Sequence, residues 1–368
     1  MKLERINYRN FRNHQVLTFQ PGDGITLIHG PNGSGKTSIL EGIHYCALTK
    51  SQVSATDGEC LRFTSDYFVL NGSFCSETDV STTVKVVYKK EKEKQVIVDN
   101  CEIKPFSRHI GRIPCITFSP SEIVIVNGAP AERRRFIDTL ISQTDRKYLD
   151  DLLAYRRVLH QRNALLAQLY SGINVHKDML LLWTENISKL AASIVSARMR
   201  FLAPFFYHFH ALYGQLSSGE NPSILYRCSL GTISQDTPPE VLYTLFLAKY
   251  EETRKQEILR GQTLTGPHRD DLLFFLQDKE VKKYASRGQL RTFLISLKLA
   301  QYRFYQDTLG EKPLCLFDDI FSELDASRTA DIFSILEKCG QTIITSAENK
   351  GGSTITTISM ESLKHIEE

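Results

Sequence analysis

The chain has 368 residues, 42% of them hydrophobic, with 45 Lys and Arg against 42 Asp and Glu, a formal net charge of +3. That length carries two or three domains or lobes of ordinary globular composition, and a charge so near balance permits a nucleic-acid partner without requiring one. No run approaches the ~18 apolar residues of a membrane span, MKLERINYRN at the start holds no apolar signal core, and eight scattered cysteines without a CxxC pair predict reduced thiols and no zinc site.

Taken in chain order, Ile25-Thr26-Leu27-Ile28-His29 reads as a buried strand, mostly apolar and β-branched. It runs into GPNGSGKT, Gly30 to Thr37, which satisfies the full GxxxxGK[ST] pattern. A helix is predicted next, from Ile39, Leu40, Ile43 and Ala47 at helical spacing. This strand–loop–helix context makes a phosphate cradle, so Gly30, Pro31, Asn32, Gly33, Ser34, Gly35, Lys36, Thr37 and Ser38 form the nucleotide-binding set. The three glycines let backbone N–H groups turn inward on phosphate oxygens, and Lys36 supplies a charge to the β- and γ-phosphates. The Thr37 hydroxyl suits Mg²⁺, and the helix N-terminus adds its partial positive charge.

Residues 66–103 alternate as strands (YFVLNG, STTVKVVYKK, KQVIVDN), with the Lys89–Lys94 run KKEKEK as an exposed tip and Asp99-Asn100 as a tight turn. From Pro130 to about Tyr213 the pattern turns helical, with Pro130 in a first turn and Phe136, Ile137, Leu140 and Ile141 on one face; Pro238–Leu259 adds another helix. Sustained heptads for a long coiled coil are missing. Arg133, Arg134, Arg135, Arg156, Arg157 and Arg162 cluster on these helices, open equally to DNA phosphates and to a solvated face with an Arg134–Asp138 pair.

In Tyr284–Arg291, YASRGQLR, Ser286 opens a helix whose Leu290, Phe293, Leu294 and Leu297 share an apolar face. Helix capping by Ser286 accounts for that much unaided. Leu314–Phe317 is a short apolar strand delivering Asp318 and Asp319 at its end, where a metal-holding carboxylate belongs at the ligand edge of a parallel sheet. Asp318 is the expected Mg²⁺ holder through water, and Asp319 the acid that orients or deprotonates the attacking water.

The motif continues as IFSELD, Ile320 to Asp325, and there it resembles the Walker B and D-loop of ABC-type ATPases, with Ser322 and Asp325 as D-loop residues. INYRNFRNH followed by the glycine loop is similar to the opening of SMC and Rad50 heads. FSPSEIVIVNGAPAERRRFID, YRRVLHQRNALL, LTGPHRDDL and YASRGQLR, in that order, resemble the bacterial RecF family over nearly the whole chain.

The resemblance implies an α/β fold: an ABC-type P-loop ATPase head with mixed sheets and an inserted helical lobe, but no long coiled coil. Its expected parts are 1–122 with Walker A, a helical arm over 123–260, and 261–368 with signature, Walker B, D-loop and closing strands. Ser286, Arg287, Gly288 and Gln289 would be the signature that acts in trans on ATP held by the other subunit. Arg12 resembles the head arginine that reaches the phosphates, or is an exposed arginine between two strands. Here the sequence departs from ABC heads: Asp319 stands where Glu is usual, Ser346-Ala347 where a switch histidine is placed, and only Glu122 offers itself for a Q-loop.

Also implied are a slow, DNA-stimulated, cytoplasmic ATPase of the DNA-damage (SOS) response, using ATP and Mg²⁺. It would close as a homodimer on double-stranded DNA and gap junctions, with RecO and RecR helping RecA loading. The rival, the cytoplasmic ATPase subunit of a membrane transporter, calls for an LSGGQ-like signature, a Q-loop and a switch histidine. A nucleotide-sensing scaffold without turnover is the third reading.

Overall fold

The computed structural model describes residues 1–53, 56–173, 177–217, 219–322, 326–349 and 355–364. It begins with β1 (Lys2–Phe11), β2 (His14–Phe19), β3 (Ile25–His29), α1 (Lys36–Leu48), β4 (Tyr67–Cys75), β5 (Ser81–Lys89), β6 (Gln95–Val98), β7 (Cys101–Glu102) and β8 (Cys115–Phe118). Helices α2 (Val124–Asn127), α3 (Pro130–Thr144), α4 (Arg146–Tyr170) and α5 (Lys177–Leu216) follow, then β9 (Pro222–Arg227) and α6 (Pro239–Arg260). The last third holds β10 (Asp271–Leu276), β11 (Lys279–Glu280), α7 (Val281–Tyr284), α8 (Arg287–Leu309), β12 (Leu314–Asp318), α9 (Ala326–Leu336), β13 (Thr342–Ser346), β14 (Thr356–Ser359) and α10 (Met360–Lys364).

One compact unit comprises Met1–Ile123, Leu212–Ser218 and Ser286–Glu368. It holds a parallel five-stranded sheet in the order β14-β3-β13-β12-β8. Near-continuous apolar runs such as Leu314–Phe317 suit such a sheet, which is covered on both faces. A second, antiparallel sheet runs β2-β1-β4-β5-β6-β7. Its alternation buries Val84 and Val86 of β5, and Asp99 and Asn100 close the β6–β7 hairpin with φ of 49° and 65°, the left-handed pair of a type I′ turn.

Helix α1 packs against strands of both sheets, so it is buried all round rather than on one face, down to Glu41 and His44. Gly42 permits that packing, because a Cβ there would lie 2.1 Å from Cε1 of the Tyr8 ring. The Lys89–Lys94 run is not wholly a solvated tip. Lys94 turns inward to donate to the Thr49 carbonyl and to Asp57 at 2.7 and 2.9 Å.

The other unit comprises Val124–Ala211 and Gly219–Ala285, which hold α2, α3, α4, most of α5, α6 and α7 with the β11-β10-β9 sheet. Residues 261–285 cluster here, not with the C-terminal ATPase segment, because β10 pairs in register with β9, a strand the sequence reading lacked. Helix burial settles part of the arginine cluster. Arg133 is 5% exposed and grips Asp271 with two bonds of 2.8 and 2.9 Å. Arg162 is 1% exposed and donates to Glu257 at 2.6 Å.

Both of those arginines are therefore core ion pairs, closed to DNA. Arg134 donates to the Asp270 carbonyl, while Asp138 accepts from Arg198 and Tyr148 in place of the expected i,i+4 pairing. His268 is pushed down to about 4, chiefly by burial, with Arg269, Arg134 and Arg162 adding repulsion. Neutral imidazole fits its bonds: Tyr155 O–H donates to Nδ1, and Nε2–H faces the Thr263 carbonyl. None of the eight cysteines forms a disulfide, and five of them are buried; no described helix is long and apolar enough to cross a membrane.

Candidate nucleotide site

The glycine loop joins β3 to α1 within the first unit, as the sequence spacing required. Gly35 caps α1 with φ of 103°, and a Cβ there would strike Asn13 Nδ2 at 2.6 Å and His14 Cε1 at 2.7 Å. Only glycine satisfies both the left-handed backbone and that approach. Having no side chain, it leaves the first N–H groups of α1 without a side-chain cap, and no acid sits in the first turn. Such a helix end is an anion site by its dipole and its unsatisfied donors. Lys36 lies across the loop, donating to the Gly30 and Pro31 carbonyls at 2.7 and 2.9 Å. Burial lowers its pKa, against the pull of Asp318 and Asp319.

Sheet order brings in the acids. Strand β13 lies between β3 and β12, so Thr345 pairs with Ile28 on one side and Asp318 on the other. Thr37 Oγ1 donates to the Asp318 carboxylate, 3.0 Å from each oxygen, and the Thr345 hydroxyl donates to the same group. Asp319 holds a left-handed φ of 48°, a conformation that costs ~1–3 kcal/mol in a residue with a Cβ. Its surroundings impose it: Asp319 N–H donates to the Thr345 carbonyl at 3.1 Å and faces its hydroxyl at 3.2 Å, while its own carbonyl accepts from Arg291 at 2.8 Å.

Asn32, Gly33, Gly35, Lys36, Thr37 and Ser38 share with Asp318, Asp319 and Thr345 the lining of one cleft of about 880 Å³. Gly30, Pro31 and Ser34 are not among its lining residues, though the carbonyls of the first two accept from Lys36. Arg12 also lines it, with Nε and Nη2 on the two Glu41 oxygens at 2.7 and 2.6 Å and Nη1 on the Glu59 carbonyl at 2.8 Å. The Glu41 bonds raise its pKa, against burial. Glu122 is held by Lys298 at 2.6 Å, and Pro120 takes its place in the cleft wall.

Ser286, Arg287, Gly288 and Gln289 line no part of this cleft. Ser286 and Gln289 form a reciprocal capping box at the start of α8, so the capping role is real and local. Ser322 lies beyond the cleft, its N–H toward the Asp319 carbonyl at 3.3 Å; Asp325 falls outside the described residues. Three contributors escaped the sequence reading: Thr345, Arg291 and Glu41. For the first two, the signal was position: one ends the strand QTIIT, and the other follows the SRGQ string by two residues.

Uncapped amides, Lys36 and a threonine–carboxylate pair can bind a polyphosphate with its metal. Among the described residues no cluster of three His, Cys, Asp or Glu could cage a metal alone, as suits Mg²⁺, which takes one or two protein oxygens and completes its shell with phosphates and water. Thr37 Oγ1 and the Asp318 carboxylate, hydrogen-bonded at 3.0 Å, are the groups that would hold it, the hydroxyl directly and the carboxylate through water.

A family model described as an AAA domain matches residues 2–182. The chain is 55% identical over 330 residues to the DNA replication and repair protein RecF of Chlorobium phaeovibrioides, covering 90% of this chain and 89% of that one. It is 43% identical over 329 residues to RecF of Chloroherpeton thalassium, covering 89% of each. A solved structure of the recombination mediator protein RecF with ATP, in the RecFOR pathway, superposes with TM-score 0.90 at 28% identity, covering 97% of this chain and 95% of that one. An Smc head bound to the C-terminal winged-helix domain of ScpA superposes with TM-score 0.55 at 14% identity, over 95% of this chain and 91% of its own, a likeness of fold alone. The architecture is that of the ABC-type ATPase head.

Proposed function

We propose, from the premise that this chain belongs to the RecF family of DNA replication and repair proteins, that it is an ATP-driven DNA-binding recombination and repair factor. The observation carrying this reading is the single cleft shared by the glycine loop, Thr37, Asp318, Asp319 and Thr345. ATP binds there, its phosphates on the loop amides and Lys36, with Arg12 presenting charge at the wall. Thr37 directly and Asp318 through water would hold Mg²⁺, which would supply neutralisation of the triphosphate charge. Asp319 orients the attacking water and accepts its proton. Transporter service is not carried, since the relatives are named for DNA replication and repair.

Ser286, Arg287, Gly288 and Gln289 act in trans on a second copy's γ-phosphate, with Ser322 and Asp325 at the same junction, so ATP closes a homodimer. The exposure of Ser286 and Arg287 at a helix start, with Gly288 and Gln289 half-buried beside them and all four outside their own chain's cleft, supports this. Ser286→Arg is expected to keep nucleotide affinity and lose ATP-dependent dimers in light scattering. The lost cap costs ~0.5–2 kcal/mol, tolerable for a helix with a long buried face. Persistent ATP-dependent dimers would reduce Ser286 to a cap.

The closed dimer binds double-stranded DNA and gap junctions, with RecO and RecR as partners in RecA loading, and DNA speeds a slow cytoplasmic ATPase. Arg156 and Arg227, 62% exposed, are available to phosphates. Fluorescence anisotropy with labelled duplex should show tighter binding with ATP in the Asp319→Asn background. Its log–log salt slope should be about −0.9 per phosphate neutralised. Linkage requires DNA to tighten ATP binding by the same factor. Equal affinity with and without ATP overturns the clamp, and no affinity at low salt overturns the DNA partner.

A further inference from the structure

Arg291 does not line the nucleotide cleft, yet its side chain is committed to the backbone of an acid that does. One nitrogen, Nη2, donates to two successive carbonyls, Asp319 at 2.8 Å and Ile320 at 3.1 Å. Successive carbonyls of an extended strand point to opposite sides, out of reach of a single donor. The two converge here because the chain turns directly after β12, with Asp319 at a left-handed φ of 48°. Arg291 therefore bonds the turned backbone as a pair and an extended one at most singly.

The guanidinium is itself held in place. Arg291 is buried on α8, and its guanidinium lies 5.8 Å from the centre of the Phe118 ring at the end of β8. Phe118 packs edge-on against Phe317, its neighbour in register on β12. Asp319 is thus gripped at both peptide groups, its N–H by Thr345 of β13 and its carbonyl by Arg291 of α8. Ser322 N–H lies 3.3 Å from the same carbonyl, but a charged donor at 2.8 Å makes the stronger bond.

A residue with a Cβ keeps a left-handed φ only where its surroundings impose it, and the backbone angles set where its carboxylate aims. We infer that Arg291 is a positioning residue for hydrolysis: by bonding the carbonyls of Asp319 and Ile320 it holds the turn that aims the Asp319 carboxylate at the attacking water. This rests on the reading of Asp319 above. Phosphate contacts come from the glycine loop, so losing Arg291 spares affinity, whereas a reacting group misplaced by ~1 Å costs up to ~10²-fold in rate.

The test is a double-mutant cycle on the full chain with Mg²⁺, reading equilibrium ATP binding and single-turnover hydrolysis. Arg291→Met keeps an apolar stem and removes the donors. It should bind ATP like the parent and hydrolyse it about 10- to 100-fold more slowly. Combined with Asp319→Asn it should cost nothing further, because the group it aims is already gone. Arg291→Lys keeps a cation and should recover part of the rate; should the Met variant not fold, the cycle is run with Lys, whose smaller loss should likewise vanish beside Asp319→Asn. Parent-like hydrolysis in Arg291→Met overturns the inference and spares the reading of Asp319. Losses that multiply in the double variant, or weakened ATP binding, overturn it by making Arg291 a prop of the fold. Parent-like hydrolysis in Asp319→Asn overturns the reading of Asp319 and this inference with it.

Discussion

Asp319→Asn is expected to bind ATP like the parent chain and to hydrolyse it ~10²–10⁴-fold more slowly, the usual loss when a positioned acid–base group is removed. Asparagine keeps the shape of the side chain and accepts the left-handed φ of 48° that this position holds. The bonds that its N–H donates to Thr345 and its carbonyl accepts from Arg291 engage only its backbone, so they survive. What disappears is the carboxylate that takes a proton from water, and the variant should accumulate in its ATP-bound form. Lys36→Ala fails differently: the charge beside the glycine loop is lost, so binding weakens and turnover stops with it. Single-turnover hydrolysis and equilibrium nucleotide binding, measured on both variants, separate the two failures. Parent-like hydrolysis in Asp319→Asn would move the proton acceptor to another group.

Glu257→Ala is expected to cost ~3–5 kcal/mol in the helical unit, the range found when one partner of a buried ion pair is removed. Glu257 and Arg162 have side-chain exposures of 0% and 1%. The guanidinium donates to Glu257 and Thr263, faces the Thr184 hydroxyl at 3.2 Å, and stacks 4.7 Å from the Tyr250 ring. The other Glu257 oxygen accepts from Leu264 N–H at 2.8 Å. Truncation strands a charge and a backbone donor together, tying α4, α6 and the approach to β10 less firmly. Glu257→Gln keeps the acceptor and should lose less. An apolar pair, Arg162→Met with Glu257→Leu, should recover much of the loss, since desolvation then vanishes from both sides. Urea unfolding followed by circular dichroism reads all three. A loss under ~1 kcal/mol in Glu257→Ala would mean that water or a neighbour replaces the carboxylate.

What the sequence determined by itself is chemistry that closes within a few residues. The glycine loop needs only β3 before it and α1 after it, the Asp99-Asn100 turn only its two φ angles, and the Ser286–Gln289 capping box only a spacing of three. Asp318 and Asp319 were legible because an apolar strand ending in acids has one natural place in a parallel sheet. Sequence separation hid the rest. Arg133 and Arg162 read as surface charge until Asp271 and Glu257, 138 and 95 residues away, took them into the core. Thr345 gained its place because β13 inserts between β3 and β12, which no local pattern encodes. Arg291 reaches the Asp319 carbonyl across 28 residues, and the segment after Leu61 joins the cleft through the Leu61 bridge to Phe11. Local propensity acts over one turn of chain, whereas burial and pairing depend on which distant segment folding places alongside, and only the tertiary structure decided that.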